Sequence, residues 1–197
     1  MPYTAEHKLD TRTRIIKSAR RLFNQNGFEA VTIGEIMGDA GLTHGGFYKH
    51  FTAKEDLYQV AVLEFIRGEP EHWQTKHYDP KAKGAALARM ILDAYLSKEH
   101  FAEREASCPM IALPSDVSRG NKTVKGAFRE VMEMMVEAFE ANLPAEKGRT
   151  NRERALALVA LAVGGMVLAR AMDTKAASDE VRDAARNQAH ETFGWAD

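Results

Sequence analysis

The sequence predicts an all-α protein in which a small N-terminal helical domain precedes a larger helical domain. Apolar residues recur at intervals of three and four, and no segment shows the alternation of a half-buried strand. Helix start and stop signals divide the chain into segments of helical length. We expect residues 1–55 to form the first domain and residues 56–197 to form the second.

The composition is that of an ordinary globular protein, with 45% hydrophobic residues, 28% charged residues and a net charge of −1. The single cysteine, Cys108, excludes an intrachain disulfide and favours a reducing, cytoplasmic setting. The longest uncharged apolar run, residues 155–169, is shorter than the roughly 20 residues that cross a bilayer. We therefore expect a buried helix there, in a cytoplasmic protein that has no membrane partner.

The first helix is predicted over about residues 10–26. Between residues 8 and 21, six Lys or Arg residues stand against one acidic residue, Asp10, a charge excess expected near phosphate contacts. A solvated helix face is the simpler explanation for such a run taken alone. Gly27 predicts the end of the helix, and Phe28 is placed to contact Phe23 as in a Schellman stop.

Three more helices follow at short intervals. Thr32 and Glu35 form a predicted capping box at the start of the second helix, and Gly41 supplies the turn after it. Thr43 is the predicted N-cap of a short third helix that ends near residue 50. Residues 52–55, Thr-Ala-Lys-Glu, form a second predicted capping box and start the fourth helix.

The second and third helices form a predicted helix-turn-helix, and residues 43–50 are here called the recognition segment. Its adjacent glycines, Gly45 and Gly46, each cost about 1 kcal/mol relative to alanine inside a helix, so stability does not explain them. A helix whose N-terminal backbone lies in the major groove of DNA can approach more closely if it has no side chains there. The alternative is that residues 10–66 form only a well-capped helical core and do not bind DNA. The predicted DNA-contacting residues offer hydroxyl, imidazole, ammonium or bare backbone groups: Thr43, His44, Gly45, Gly46, Tyr48, Lys49, His50 and Lys54.

The same stretch carries the motifs Leu22-Phe23, Gly27-Phe28, Val31-Thr32-Ile33, Ala40-Gly41-Leu42-Thr43, Gly45-Gly46-Phe47-Tyr48-Lys49-His50-Phe51 and Lys54-Glu55-Asp56-Leu57. Together these motifs closely resemble the TetR family of bacterial regulators over about residues 10–58. The resemblance implies a domain that binds double-stranded operator DNA as part of a homodimer. It also implies a C-terminal helical domain that binds a small molecule and thereby releases the operator. One departure is Gly46, which stands where the family pattern often has a small polar residue.

The resemblance further implies that the last two long helices pair with their copies in a second subunit. These helices are predicted at about residues 151–173 and 177–194. The first is dense in small residues and apolar on nearly all sides, so it must be covered on all sides. A central core helix of a monomer is the alternative. The predicted dimer-interface residues are Ala160, Val163, Gly164, Val167, Ala171, Val181, Ala185 and Gln188.

Further helices are predicted at about residues 81–98, 100–107 and 119–143, after an irregular stretch, 69–80, that contains Trp73 and Tyr78. Met and aromatic residues here suit an adaptable apolar pocket, although plain core packing is favoured residue by residue. Cys108 either senses oxidants or electrophiles at this pocket or is a small buried hydrophobe. The candidate pocket residues are Met90, Phe101, Cys108, Met110, Phe128, Met132 and Met135.

The sequence contains no glycine-rich phosphate loop, nucleophile elbow or metal-ligand spacing, so we predict neither an enzyme nor a metal or cofactor. The favoured function is a ligand-responsive transcriptional repressor that binds operator DNA as a homodimer. An unknown small-molecule effector would release it. The alternative is a helical ligand-binding protein whose DNA-binding segment has lost its function. Activation in place of repression, and an enzyme on the same scaffold, are further alternatives.

Overall fold

The computed structural model describes residues 5–67, 79–105 and 107–195, and within these ranges every named element is a helix, which confirms the all-α fold. Trp73 and Tyr78, in the predicted irregular stretch, lie outside the described residues. In chain order the helices are α1 (Ala5–Asn26), α2 (Ile33–Asp39), a 3₁₀ helix (His44–Lys49), α3 (Lys54–Arg67), α4 (Ala85–Tyr95), α5 (Lys98–Ala102), α6 (Pro109–Ala112), α7 (Pro114–Arg119), α8 (Lys122–Glu140), α9 (Asn151–Arg170) and α10 (Lys175–Phe193).

The described residues form two compact units. The first unit contains residues 5–67 with 104–105 and 107–131, and the second contains residues 79–103 with 132–195. The expected domain boundary, between residues 55 and 56, falls in the first turn of α3. The division into residues 1–55 and 56–197 stays a prediction.

Two local predictions about α1 and α2 are confirmed. Gly27 has φ +83°, its amide donates to the Phe23 carbonyl at 2.8 Å, and the Phe23 and Phe28 rings lie 5.6 Å apart. Thr32 and Glu35 form the expected reciprocal capping box at the start of α2. The N-terminal end of α1 was misjudged, because the helix begins at Ala5 rather than near residue 10.

Two other predicted features of the first unit need correction. The recognition segment forms a 3₁₀ helix of six residues, a conformation that suits short pieces. Its N-cap residue, Thr43, makes no side-chain capping hydrogen bond. The box at the start of α3 uses Asp56 in place of Glu55, since both the amide and the hydroxyl of Thr52 donate to the Asp56 carboxylate, at 3.0 and 3.1 Å. The physical reason is that α3 begins at Lys54, which puts Asp56 at its third position.

In the second unit, α9 and α10 pack closely against each other. A Cβ atom built on Gly165 would lie 2.7 Å from the Cβ of Ala185, so glycine is needed for this approach. The Arg182 guanidinium is buried on α10, where it donates to the Leu96 carbonyl at 2.9 Å and pairs with Asp179. Among the described residues, no helix is both long and apolar enough to span a membrane.

Alanine at Gly165 tests the close packing of α9 on α10. The new methyl group would overlap Ala185, so we expect Gly165→Ala to lower the free energy of unfolding by about 1–3 kcal/mol in urea titrations. Gly126→Ala, on α8, is the matched control because its Cβ would meet no atom within 4 Å. The control should be neutral or up to about 1 kcal/mol more stable, as expected for a helical glycine. Equal stability of the two variants would contradict this packing.

Candidate nucleic-acid interface

The recognition segment is anchored by one aromatic side chain. Phe47 is fully buried, and its ring centroid lies 5.7 Å from that of Phe51 and 5.2 Å from that of Tyr48. Ile36 and Met37 of α2 are buried as well, so the segment rests on the core of its own unit. This anchor determines which side chains of the segment face solvent.

Most of the predicted DNA-contacting residues lie on the solvent side. Tyr48 is 61% exposed, with its ring edge-on to Phe47 and 6.2 Å from the ring of His44. In a 3₁₀ helix, residues three apart share a face, so Tyr48 lies on the same face as Gly45. The exposed residues of the segment are Thr43, His44, Gly45, Tyr48 and Lys49.

The two glycines have different surroundings. A Cβ atom built on Gly45 would meet no atom within 4 Å, whereas one built on Gly46 would lie 3.4 Å from the Met37 methyl group. Both glycines were predicted to let the backbone approach DNA. Gly45 fits that explanation. Gly46 lies against its own unit, where an added Cβ would be in van der Waals contact with Met37.

His50 is half-buried, and its Nδ1 atom has no hydrogen-bond partner among the described residues. Burial lowers the pKa of its imidazole below the ordinary value, and the nearby charges of Lys8, Arg12 and Lys49 lower it further. His50 is therefore neutral at neutral pH. It supplies a hydrogen-bonding group to the interface but no positive charge.

Lys54 holds the turn between α1 and α2. Its ammonium group donates to the carbonyl oxygens of Phe28 at 2.9 Å, Val31 at 3.1 Å and Glu29 at 3.4 Å, and it lies 4.4 Å from the centre of the Phe28 ring. An ammonium group has three donors, and these contacts use all of them. This geometry departs from the predicted phosphate contact, because the ammonium group already donates to three backbone carbonyl oxygens.

Part of the basic run on α1 also binds the protein itself. Arg14 donates to the carbonyl oxygen of Ala40 at the end of α2, and Arg21 pairs with Asp39. The pKa of Asp39 is lowered by a hydrogen bond from the Ser18 hydroxyl and then by Arg21. These contacts fix α2 on α1. Two lysines of the run are exposed and suit external phosphates: Lys8 and Lys17.

A later segment of the first unit binds the end of α1, and the sequence analysis missed it. The Asp116 carboxylate accepts the Phe28 amide at 2.9 Å, and the Asn24 side chain donates to the carbonyls of Glu105 and Ser107, both at 2.9 Å. Asp116 is 88 residues from Phe28 in the chain, so no local sequence signal marks this contact.

The candidate pocket residues divide between the two units. Met90 lines a cavity of about 570 Å³ in the second unit, together with charged residues that include Arg89, Asp93 and Arg186. Phe101 lies under the Arg182 guanidinium instead, with the guanidinium carbon 4.8 Å from the ring centre. The remaining candidates are buried or half-buried: Cys108, Met110 and Met135 are buried, and Phe128 and Met132 are half-buried. In the part of the chain that the structure describes, no group of three His, Cys, Asp or Glu residues is placed to hold a metal ion.

The candidate dimer-interface residues lie mostly on the outer faces of α9 and α10. Ala185 is the exception, because it is 7% exposed and packs against Gly165 of its own chain. Leu168, which is not among the candidates, is 58% exposed on α9. The other candidates are half-buried or exposed: Val163, Gly164, Val167 and Val181 are half-buried, and Ala160, Ala171 and Gln188 are exposed.

Comparison with known proteins gives matches for both the sequence and the fold. Residues 15–61 match the family model described as bacterial regulatory proteins, tetR family. The chain is 48% identical over 57 residues to the uncharacterized HTH-type transcriptional regulator YerO of Bacillus subtilis, covering 29% of this chain and 20% of YerO. It is 39% identical over 54 residues to the HTH-type transcriptional regulator UidR of Escherichia coli, covering 27% of this chain and 28% of UidR. These alignments thus span less than a third of either relative.

Similarity to solved structures extends over nearly the whole chain. A TetR transcriptional regulator from Chloroflexus aurantiacus superposes with a TM-score of 0.73 at 22% identity, covering 95% of this chain and 96% of that one. The reduced form of Escherichia coli NemR superposes with a TM-score of 0.69 at 18% identity, covering 90% of this chain and 96% of that one. At these identities the structural likeness establishes the fold.

Lys54→Met tests whether Lys54 holds the turn or binds phosphate. Losing the three carbonyl contacts should lower the free energy of unfolding by about 1–3 kcal/mol in urea titrations. The salt dependence of DNA binding should keep its slope, because the ammonium group is not released to phosphate. Unchanged stability with a shallower salt slope would show that Lys54 contacts DNA instead.

Proposed function

Because the chain belongs to the TetR family of bacterial regulatory proteins, we propose that it is a DNA-binding transcriptional regulator whose recognition segment enters the major groove. The observation that supports this most strongly is the two-sided character of the segment. Phe47 is fully buried, while Gly45, Tyr48 and Lys49 are exposed together. A short helix with a bare, polar outer face is suited to the major groove, which is about 12 Å wide.

Each exposed group of the segment has a distinct role in this proposal. Gly45 lets the backbone approach the base edges, because no side chain stands in the way. Tyr48 and Lys49 offer a hydroxyl and an ammonium group to the phosphate backbone. Lys8 and Lys17 of α1 add exposed positive charge on the same unit.

Two recognition segments are needed to reach adjacent major grooves, about 34–36 Å apart, so we propose a homodimer. The outer face of α9 supports this, since Gly164 has open space beside it and Leu168 is largely exposed. Residues 164, 168 and 171 follow at helical spacing and share that face. A self-complementary apolar face of this kind suits a two-fold interface with α9 and α10 of a second copy.

The regulatory part of the proposal is repression that a small-molecule effector relieves, in the cytoplasm. The cavity of about 570 Å³ in the second unit supports an effector site, because its volume is typical of small-molecule sites. An effector that releases DNA must bind the DNA-incompetent conformation more tightly than the competent one. The buried position of Cys108 favours a packing role over direct sensing.

DNA binding is tested with the chain's own upstream region and with a random-sequence duplex pool, in gel shifts at several salt concentrations. Lys49→Ala should weaken binding to all sequences and reduce the slope of log K against log salt by about 1. Lys122→Ala removes an exposed lysine from α8 and should bind as the wild type does. A folded protein that binds no DNA of any sequence at low salt would contradict the proposed DNA-binding function. It would favour a ligand-binding protein whose recognition segment does not bind DNA.

The dimer is tested by substituting two similarly exposed leucines. Leu168→Glu places a charge on the proposed interface and should give a monomer in sedimentation equilibrium, with unchanged helix content. Leu9→Glu, at a leucine that is 66% exposed on α1, should remain a dimer. The proposed interface would be wrong if Leu168→Glu dimerised as tightly as the wild type.

A further inference from the structure

The turn between α1 and α2, residues 27–31, is fixed by groups from two parts of the chain. Lys54 donates to three of its carbonyl oxygens. Asp116 of α7, which is 88 residues further along the chain, accepts the amide of Phe28 at 2.9 Å. A Cβ atom built on Gly27 would overlap the Oδ2 atom of Asp116, so the carboxylate lies directly against the turn.

The Asp116 carboxylate has a fixed position in α7. Its Oδ1 atom accepts from the Arg119 guanidinium at 2.6 Å, which leaves its Oδ2 atom for the turn. Leu113, just before α7, and Val117 within it are buried, so this short helix is anchored in the first unit. A hydrogen bond from an amide to an ionised carboxylate is stronger than one between neutral groups. Asp116 is therefore suited to hold the turn in one place.

The last turn of α1 makes a second contact with the same later part of the chain. The Asn24 side chain donates to the carbonyl oxygens of Glu105 and Ser107, both at 2.9 Å. The Gln25 side chain donates to the Glu105 carboxylate, also at 2.9 Å. The position of residues 24–31 thus depends on residues that lie outside the predicted DNA-binding domain, 1–55.

A shift of the turn would reach the recognition segment through α2. Val31, the last residue of the turn, is buried, and Thr32 directly after it caps α2. The Met37 carbonyl of α2 accepts the Leu42 amide at 2.8 Å, and the Met37 methyl group would lie 3.4 Å from a Cβ atom built on Gly46. Because close-packed interiors transmit strain, the turn, α2 and the recognition segment would move together.

We propose that Asp116 is a positioning residue for DNA recognition, which holds the turn so that the recognition segment has the orientation that base contacts require. Contacts to base edges depend on the placement of donors and acceptors, whereas attraction to phosphates depends mainly on charge. Loss of Asp116 therefore weakens binding to a specific sequence more than binding to unrelated DNA. On charge alone, removal of a carboxylate would strengthen binding to all DNA. This role rests on the proposed function.

Asp116→Ala tests the role in the full chain, with a duplex that the wild type selects from a random-sequence pool and a duplex of unrelated sequence. In anisotropy titrations at one salt concentration, the selected duplex should bind about tenfold more weakly than to the wild type, as for the loss of one base contact. The affinity for the unrelated duplex should be unchanged or slightly higher. Asp116→Asn keeps an oxygen that can accept the Phe28 amide, so it should recover most of the lost affinity.

Glu29→Ala is the matched control, because it removes an exposed carboxylate from the same turn and should leave the ratio of the two affinities unchanged. An unchanged ratio in Asp116→Ala, or an equal loss for both duplexes, would overturn the positioning role. Asn24→Ala removes the second contact and should also lower the ratio. If Asp116→Ala loses helix content, Asn24→Ala decides, and an unchanged ratio there would overturn the role.

The contact between Asp116 and the turn is tested without DNA, by hydrogen exchange of single amides. The Phe28 amide should exchange at least about tenfold faster in Asp116→Ala than in the wild type. The Gly27 amide, which donates to the Phe23 carbonyl, should keep its wild-type rate. An unchanged Phe28 rate would overturn the contact. A wild type that shows the contact but binds no DNA would refute the proposed function, and the positioning role with it, and leave the contact standing.

Discussion

The burial of Phe47 is the constraint on which the rest of the first unit depends. With its ring fully enclosed, the six-residue 3₁₀ helix has one orientation on the core, and this turns Gly45, Tyr48 and Lys49 outward. The segment is too short to be stable alone, because isolated helices shorter than about 12–15 residues are marginal in water. The tertiary contact of one aromatic side chain therefore sets the character of the candidate DNA-binding face.

Positive charge in the first unit divides into two roles that composition alone does not separate. Arg14, Arg21 and Lys54 bind carbonyl oxygens or a carboxylate and hold the helices and turns together. Lys8 and Lys49 are exposed, and in the proposed function they face the phosphates of DNA. The charges that bind the protein itself fix its geometry, and in that geometry the exposed charges can bind an anion. Loss of a charge therefore has a different physical consequence at the two kinds of site.

Local signals predicted the features that local interactions determine. The Gly27 stop and the Thr32 capping box each involve residues no more than five apart, and the sequence was enough to identify them. The roles of Lys54 and Asp116 could not be predicted, because their partners lie 23–26 and 88 residues away. Ala185 was misplaced for a related reason, since helical spacing cannot distinguish a face covered by the same chain from one covered by a second copy. The predicted contact, pocket and interface residues otherwise remain to be tested.

In the proposed function, Gly45 lets the backbone of the recognition segment approach DNA without obstruction, and the affinity of Gly45→Ala for DNA tests this most directly. The added methyl group meets no atom of the protein, so the melting temperature should be unchanged or higher. The methyl group would stand between the backbone and the base edges, and we expect DNA binding at least about tenfold weaker in anisotropy titrations. A variant that keeps both wild-type stability and wild-type affinity would contradict the account.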